Sequence, residues 1–294
     1  MENPMKLKFM AFLFTATAFF SNSILAGESS VIAPQAIYNN SAKILTIGIL
    51  PQQSARDLAK LWTPISQYLS SKTGLNIRFS TAKDFPTFEK RLLKGVYDIA
   101  YMNPYQFTVF NQKPGYQAIA KEHGKSIKGI IVVPKDSSIQ NITELYGATV
   151  AFPAPAAFAA SLLTTARFSD RGVIIMPKYV LSYESVYLSV ARGFFPAGGG
   201  DKRTFEDSPE EIRKKLKIFW ETPGYTSHAI AVHPRLKADK VVNIQRALVN
   251  MKNTQQGKWL LASLKFADLV AAKNSDWDDV RALNIKELVR LLKE

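Results

Sequence analysis

The chain of 294 residues contains no cysteine. That excludes disulfides, thiol catalysis, cysteine-ligated zinc, iron–sulfur clusters and c-type haem attachment together. Histidine is scarce as well, with only His123, His228 and His233. The last two stand five apart in a strand-like stretch, where odd spacing sends them to opposite faces. No helical His-Glu-x-x-His zinc motif occurs and no Gly-x-Ser-x-Gly nucleophile elbow. With neither metal ligands nor a cofactor fingerprint, no cofactor is expected. Acidic residues are the minority: 24 Asp and Glu face 38 Lys and Arg, a net charge of +14. That excess admits three kinds of partner: nucleic acid, an anionic membrane or a small anion. Internal repeats and low-complexity linkers are also lacking.

The composition that remains is ordinary for a globular protein, 47% hydrophobic and 21% charged. The length fits one large domain or two of moderate size. Lys6 and Lys8 precede an apolar run from Phe9 to Phe20, and Ile24-Leu25-Ala26 offers a small residue for cleavage. The run is shorter than the roughly 20 residues that span a bilayer as a helix. Residues 1–26 therefore read as a cleaved secretory signal, with an uncleaved anchor as the alternative. Removing them takes away Glu2, Lys6 and Lys8 and leaves +13. A periplasmic location follows, and an exported protein does not meet chromosomal DNA, so no nucleic-acid partner is expected.

Residues 27–43 are polar and aperiodic, a flexible lead-in. From Ile44 onward strands and helices alternate. Leu45–Leu50 reads as a buried strand stopped by Pro51, and Leu58, Leu61, Trp62, Ile65 and Leu69 form one helical stripe. Pro64 is expected to kink or divide that helix and Gly74 to end it. Asp84 is a candidate N-cap for a helix at 85–93, and Tyr97–Met102 is a further strand. A second set begins at Gly129–Pro134, with strands at Thr149–Phe152, Lys178–Leu181 and Lys217–Trp220, and helices at Ala156–Phe168 and Tyr183–Ala191. Ser227–Val232 is extended, and helices are expected at Val241–Met251, Trp259–Phe266 and Trp277–Leu292. Alternation at this pace predicts an α/β fold of two lobes, each a mostly parallel sheet flanked by helices, with a ligand cleft between them. The crossovers fall near 124–134 and 223–233. The expected boundaries are 44–128 plus 229–294 for lobe 1 and 129–228 for lobe 2.

Three segments carry candidate chemistry. Gly198–Gly200 followed by Asp201, Lys202, Arg203 and Thr204 fits either an anion-binding cradle or a flexible surface turn. Asp98 fits either a catalytic acid or a buried acid bonded to neighbouring backbone. Tyr101, Asn103 and Tyr105 follow a strand, where open α/β sheets place their ligands, and Asn103-Pro104 opens a helix. They offer hydrogen bonds without reactive chemistry, so no enzymatic activity is expected.

Ordered along the chain are Ile47-Gly48-Ile49-Leu50-Pro51, Trp62 to Gly74, Gly95 to Pro104, Val150-Ala151-Phe152, and Tyr183-Glu184-Ser185-Val186 with Val190 and Gly193. In these pieces the sequence resembles the phosphate/phosphite/phosphonate-type periplasmic solute-binding proteins, with their type II two-lobed fold. The resemblance implies a solute-binding protein serving an ABC permease or a sensor kinase. It is incomplete at the ligand. The family's Ser-Thr-Ser-Gly type loop corresponds to Ala157–Ala160, a family histidine to Tyr183, and a second-lobe acid to Pro196. A divergent branch is implied in which Arg203 is the replacement anion anchor and Phe158 makes the pocket more apolar. The expected ligand is a small anion, larger or more hydrophobic than phosphonate. The expected ligand-binding residues are Gln52, Tyr101, Asn103, Tyr105, Phe158, Tyr183, Arg203 and Thr204, in a monomer. Alternatives are a secreted enzyme on the same scaffold and a membrane-surface module, although runs such as Arg213-Lys214-Lys215 also fit a solvated helix face.

Overall fold

A computed structural model describes residues 43–289; the expected signal peptide and residues 27–42 lie outside the described residues. The first strand, β1 (Leu45–Ile49), is buried almost throughout. Helix α1 (Ala55–Thr73) begins where the Ser54 hydroxyl accepts from the Asp57 N–H at 3.2 Å and ends at Gly74, whose φ of 69° suits glycine. Leu58, Trp62, Ile65 and Leu69 form its buried stripe. Pro64 does not divide it. The carbonyl that loses its donor belongs to Lys60, an exposed residue.

Then follow β2 (Ile77–Thr81), α2 (Phe85–Leu93), β3 (Ile99–Met102), α3 (Pro104–Phe110) and β4 (Gln117–Glu122). Asp84 caps α2 by accepting from the Thr87 N–H at 2.8 Å. After β5 (Ser126–Ile127) come β6 (Gly129–Pro134) and β7 (Thr149–Phe152). The helix expected at 156–168 is in two parts, a π-helical segment at Phe158–Leu163 running into α4 (Thr164–Asp170). Here Ser161 Oγ donates to the Ala154 carbonyl at 2.6 Å, and Thr164 Oγ1 donates back to the Ala160 carbonyl, which loosens the helical turn between them.

Next are β8 (Met176–Tyr179), α5 (Tyr183–Ala191), β9 (Ala197–Asp201), α6 (Lys202–Glu206), α7 (Glu210–Arg213), β10 (Leu216–Glu221), β11 (Tyr225–Thr226) and β12 (Ala229–Val232). The chain closes with α8 (Ala238–Val249), α9 (Gln255–Ser263), β13 (Leu269–Ala271) and α10 (Asp278–Arg281). The long helix expected from Trp277 stops at α10, because Asn284 takes a left-handed φ of 50°.

Two sheets result. The six-stranded sheet has the order β13-β4-β12-β3-β1-β2, and the five-stranded sheet β10-β6-β9-β7-β8. Strands 45–122 and 229–271 build the first, strands 129–221 the second. Both are mixed rather than mostly parallel in their pairings. β1 pairs in parallel with β2 and β3, and β7 with β8 and β9. The two crossover strands run the other way: β12 lies antiparallel between β3 and β4, and β6 antiparallel between β9 and β10. The crossovers also pair with each other, β5 against β11 in the register Tyr225↔Ile127 and Thr226↔Ser126. Trp277 fastens this ribbon by donating its indole N–H to the Ser227 carbonyl at 2.8 Å, while Asp279 accepts from the Thr226 N–H at 2.7 Å.

The glycine run Gly198–Gly200 is neither a phosphate cradle nor a surface turn. It lies in β9, a buried central strand. A Cβ on Gly199 would stand 2.0 Å from the Ala160 carbonyl oxygen, and one on Gly198 2.6 Å from Val186. Glycine is required because the π-helical segment and α5 approach the sheet backbone this closely from its two faces. Asp98 is likewise structural. Its carboxylate accepts from the Thr46 N–H at 2.8 Å and from Arg235 Nε at 2.8 Å.

Candidate functional site

The ends of β1, β3 and β4, the start of α1, the start of β12 and the β9–α6 junction converge on one cleft of about 570 Å³ between the two lobes. Its first wall is aromatic. Tyr101 stacks on His228 with ring centroids 5.0 Å apart and planes 14° apart, and its other neighbour, Trp62, is 4.9 Å away. Phe266 completes this wall, 6.1 Å from Tyr101. Strand register explains the stack. β12 pairs Ile230 with Tyr101, and period-two alternation puts His228 on the same face as Ile230.

Another part of the lining is polar. Lys125, Lys128 and Lys202 line it, and Glu221 sits between the last two at 2.7 Å from each ammonium. Lys125 is exposed and has no ion-pair partner among the described residues. Over the whole lining, five cations (Lys125, Lys128, Lys202, Arg203, Lys265) face four acids (Glu122, Asp201, Glu206, Asp207), so the cleft is close to neutral despite the basic chain.

A clasp crosses the cleft. Arg203, on α6 of the second lobe, donates to Glu122 Oε2 at 2.8 Å and to the Leu264 carbonyl, and its guanidinium lies 4.8 Å from the Phe266 ring centroid. All three partners belong to the first lobe. Lys265 of the first lobe reaches Asp207 of the second at 2.5 Å.

Burial sets the protonation states. The Tyr101 and Tyr183 phenols are pushed well above their usual range by loss of water contact, so both stay neutral. Burial pushes the Asp201 carboxyl up to about 6, only partly offset by the N–H of Thr204 and by Arg203. Burial, and then Arg203, push His228 down to about 3, leaving a neutral imidazole whose Nε2 is 3.0 Å from Gln52 Nε2. Burial also raises Glu122 against the pull of Arg203. Two buried oxygens of lining residues, Glu122 Oε1 and Ser227 Oγ, have no hydrogen-bond partner among the described residues. This set of groups can hold an acid group at the lysine end and an apolar body on the rings.

Of the residues expected from the sequence, Gln52, Tyr101, Arg203 and Thr204 line the cleft. Arg203 is not a free anion anchor, since an anion reaching it must share it with Glu122. The Thr204 hydroxyl is engaged by the Asp201 carbonyl at 2.9 Å and Tyr187 Oη at 2.7 Å. Asn103, Tyr105, Phe158 and Tyr183 are not part of the lining. Asn103 caps α3 through Gln106 N–H at 2.8 Å and donates to the Ala156 carbonyl at 3.2 Å. Tyr105 Oη accepts from the Leu288 N–H at 2.8 Å and donates to the Ile285 carbonyl at 3.3 Å. Phe158 is buried edge-on against Tyr225 at 5.7 Å, and Tyr183 is buried at the start of α5. The expectation for Phe158 thus meets a side chain that fills the packing between the π-helical segment and the crossover. Sequence reasoning missed Trp62, Glu122, Lys125, Lys128, His228 and Phe266 as site residues. The one available signal was the basic stretch Lys125–Lys128 inside an expected crossover.

Comparisons with known proteins agree with this architecture. A family model described as ABC transporter, phosphonate, periplasmic substrate-binding protein matches residues 47–277. The chain is 23% identical over 275 residues to the phosphonates-binding periplasmic protein of Escherichia coli, covering 87% of this chain and 80% of the relative. It is 20% identical over 235 residues to the phosphate-import protein PhnD of Mycolicibacterium smegmatis, covering 72% and 73%. Among solved structures, PhnD1 of Prochlorococcus marinus in complex with methylphosphonate superposes with a TM-score of 0.75 at 18% identity, covering 86% of this chain and all of that one. A binding protein component of an ABC phosphonate transporter from Pseudomonas aeruginosa gives 0.74 at 17% identity, covering 82% and 85%. At such identities the structural likeness speaks for the fold.

Proposed function

The chain belongs to the family of phosphonate-type periplasmic substrate-binding proteins of ABC transporters, and from that premise we propose that it captures a small organic anion in the interlobe cleft and presents it to an importer's permease. The observation that carries this reading is the cleft itself, which has lysines at one end and is lined by groups of both lobes. A ligand touching both lobes stabilises the closed arrangement over the open one by its differential contacts, and the permease reads that arrangement. The paired crossovers β5 and β11 are the hinge in this reading, because they are the strands that pass between the two sheets. Lobe 1 is then 44–128 plus 229–294 and lobe 2 is 129–228. The family description favours an importer's permease over a sensor kinase as the membrane partner. The protein acts as a monomer in the periplasm. No helix among the described residues is long and apolar enough to cross a membrane.

The anion is gripped differently from what the family's hydroxyl loop would provide. The corresponding Ala157–Ala160 stretch is buried without a hydroxyl. Lys125, Lys128 and Lys202 are left as the cations that meet the acid group, with Gln52, Tyr101 and Arg203 also on the lining. A thermal-shift panel of phosphate, phosphonates, sulfonates and carboxylates tests this. A ligand at 100 times its Kd stabilises the protein by about 2.7 kcal/mol, a shift of a few degrees. At least one anion of the panel is expected to produce it, and a panel without any shift overturns the reading.

A further inference from the structure

We propose that the cleft selects organic anions of low charge built on a flat ring, with the ring lying on the free face of His228 and the acid group at the Lys125–Lys128–Lys202 end. This rests on the reading that the cleft binds a phosphonate-type anion, and it names the class of anion.

Three observations carry it. The first is size. A cleft of about 570 Å³ lies within the range used by ligands of some tens of atoms, far more than an acid bearing one methyl group would fill. The second is charge. Glu221 already holds Lys128 and Lys202, so Lys125 is the lining cation that has no ion-pair partner among the described residues, which suits one negative charge rather than a polyphosphate.

The third is the unfinished ring stack. Trp62 lies against Tyr101, and Tyr101 stacks on His228. Among the described residues, Tyr101 is the one ring against His228, which is only half-buried and lines the cleft. A ligand ring placed there becomes the fourth member of the stack. Gln52 fixes the imidazole in its plane through the 3.0 Å contact at Nε2. A saturated body of the same volume would bury similar area but gain no stacking, and an aromatic pair adds a few-fold to about tenfold in affinity beyond area burial.

The test is calorimetric titration of the full mature chain with phenylphosphonate, cyclohexylphosphonate and methylphosphonate. Phenylphosphonate is expected to bind at least fivefold tighter than cyclohexylphosphonate. His228→Phe keeps a ring and should keep that ratio, whereas His228→Leu should bring it to within twofold of unity. Equal or weaker binding of the phenyl compound overturns the inference, as does a ratio that survives in His228→Leu. Should the leucine variant not fold, the wild-type ratio together with its retention in the phenylalanine variant decides the matter. Methylphosphonate binding without ring preference overturns this inference alone. Binding of none of the three overturns the anion reading with it.

Discussion

Glu122→Gln isolates the clasp across the cleft. The substitution keeps the shape of the side chain and removes its charge, turning the 2.8 Å charge-assisted bond from Arg203 into a neutral one. A hydrogen bond to a charged group contributes about 1.5–3 kcal/mol and a neutral one about 1. Glu122 is 5% exposed but Arg203 is 36% exposed, so water screens part of the attraction and the lower half of that range applies. The closed arrangement should lose about 0.5–1 kcal/mol, which is roughly a 2- to 5-fold loss of affinity for whichever anion the panel identifies. The neighbouring Lys265–Asp207 pair is more exposed and adds little. Calorimetric titration of wild type and variant at pH 7.5 measures the difference. Unchanged affinity would show that the clasp does not help hold the liganded form. Tighter binding would show that Glu122 competes with the ligand for Arg203, and would refute the assignment of the pair as a clasp.

Gly199→Ala should destabilise the fold by about 3 kcal/mol or more, because its Cβ meets the Ala160 carbonyl oxygen at 2.0 Å and the Phe152 ring at 2.5 Å; a urea midpoint close to wild type would contradict this packing. Asp201, raised by burial to about 6 from an ordinary 3.8, binds its proton more tightly folded than unfolded, so on this group alone stability rises as pH falls from about 7 to about 4. Asp201→Asn, which keeps an acceptor for the Thr204 N–H, should raise the melting temperature at pH 8 and flatten its rise between pH 7 and 4. His228 has the opposite sign: lowered to about 3, it costs stability as pH falls from about 6.5 to about 3, and melts of His228→Phe should lack that loss. Tyr105→Phe should cost about 1–3 kcal/mol by leaving the Leu288 N–H unpaired, without changing anion affinity; a neutral melt with weakened binding would move Tyr105 into the site.

Much of the frame is readable in local patterns. The Asp84 cap, the stripe on α1, and strands β1 and β7 depend on residues within one element or its immediate flank. The site is less so. The rule that ligands meet strand ends finds the end of β3 but not which side chains face the cleft: Tyr101 lies on the cleft face of the sheet, while Asn103 turns its amide to cap α3 and bond Ala156. His228 and Glu122 meet at the cleft only because β12 inserts antiparallel between β3 and β4, a pairing of segments more than a hundred residues apart. The Gly198–Gly200 run signals freedom in the sequence, yet the structure uses it for close approach of buried backbone, which depends on the distant Ala160 and Val186. Net charge misleads in a similar way. The chain is strongly basic, but the cleft is nearly balanced because Glu122, Asp201, Glu206 and Asp207 are drawn into it.

A crystal structure of the protein with the best anion of the panel tests capture between the lobes most directly. The account predicts the acid group within hydrogen-bond distance, about 3.2 Å, of at least one of Lys125, Lys128 and Lys202, with the body of the ligand against His228 and Trp62 and contacts from both sheets. A ligand touching only one sheet, or seated outside this cleft, would contradict it.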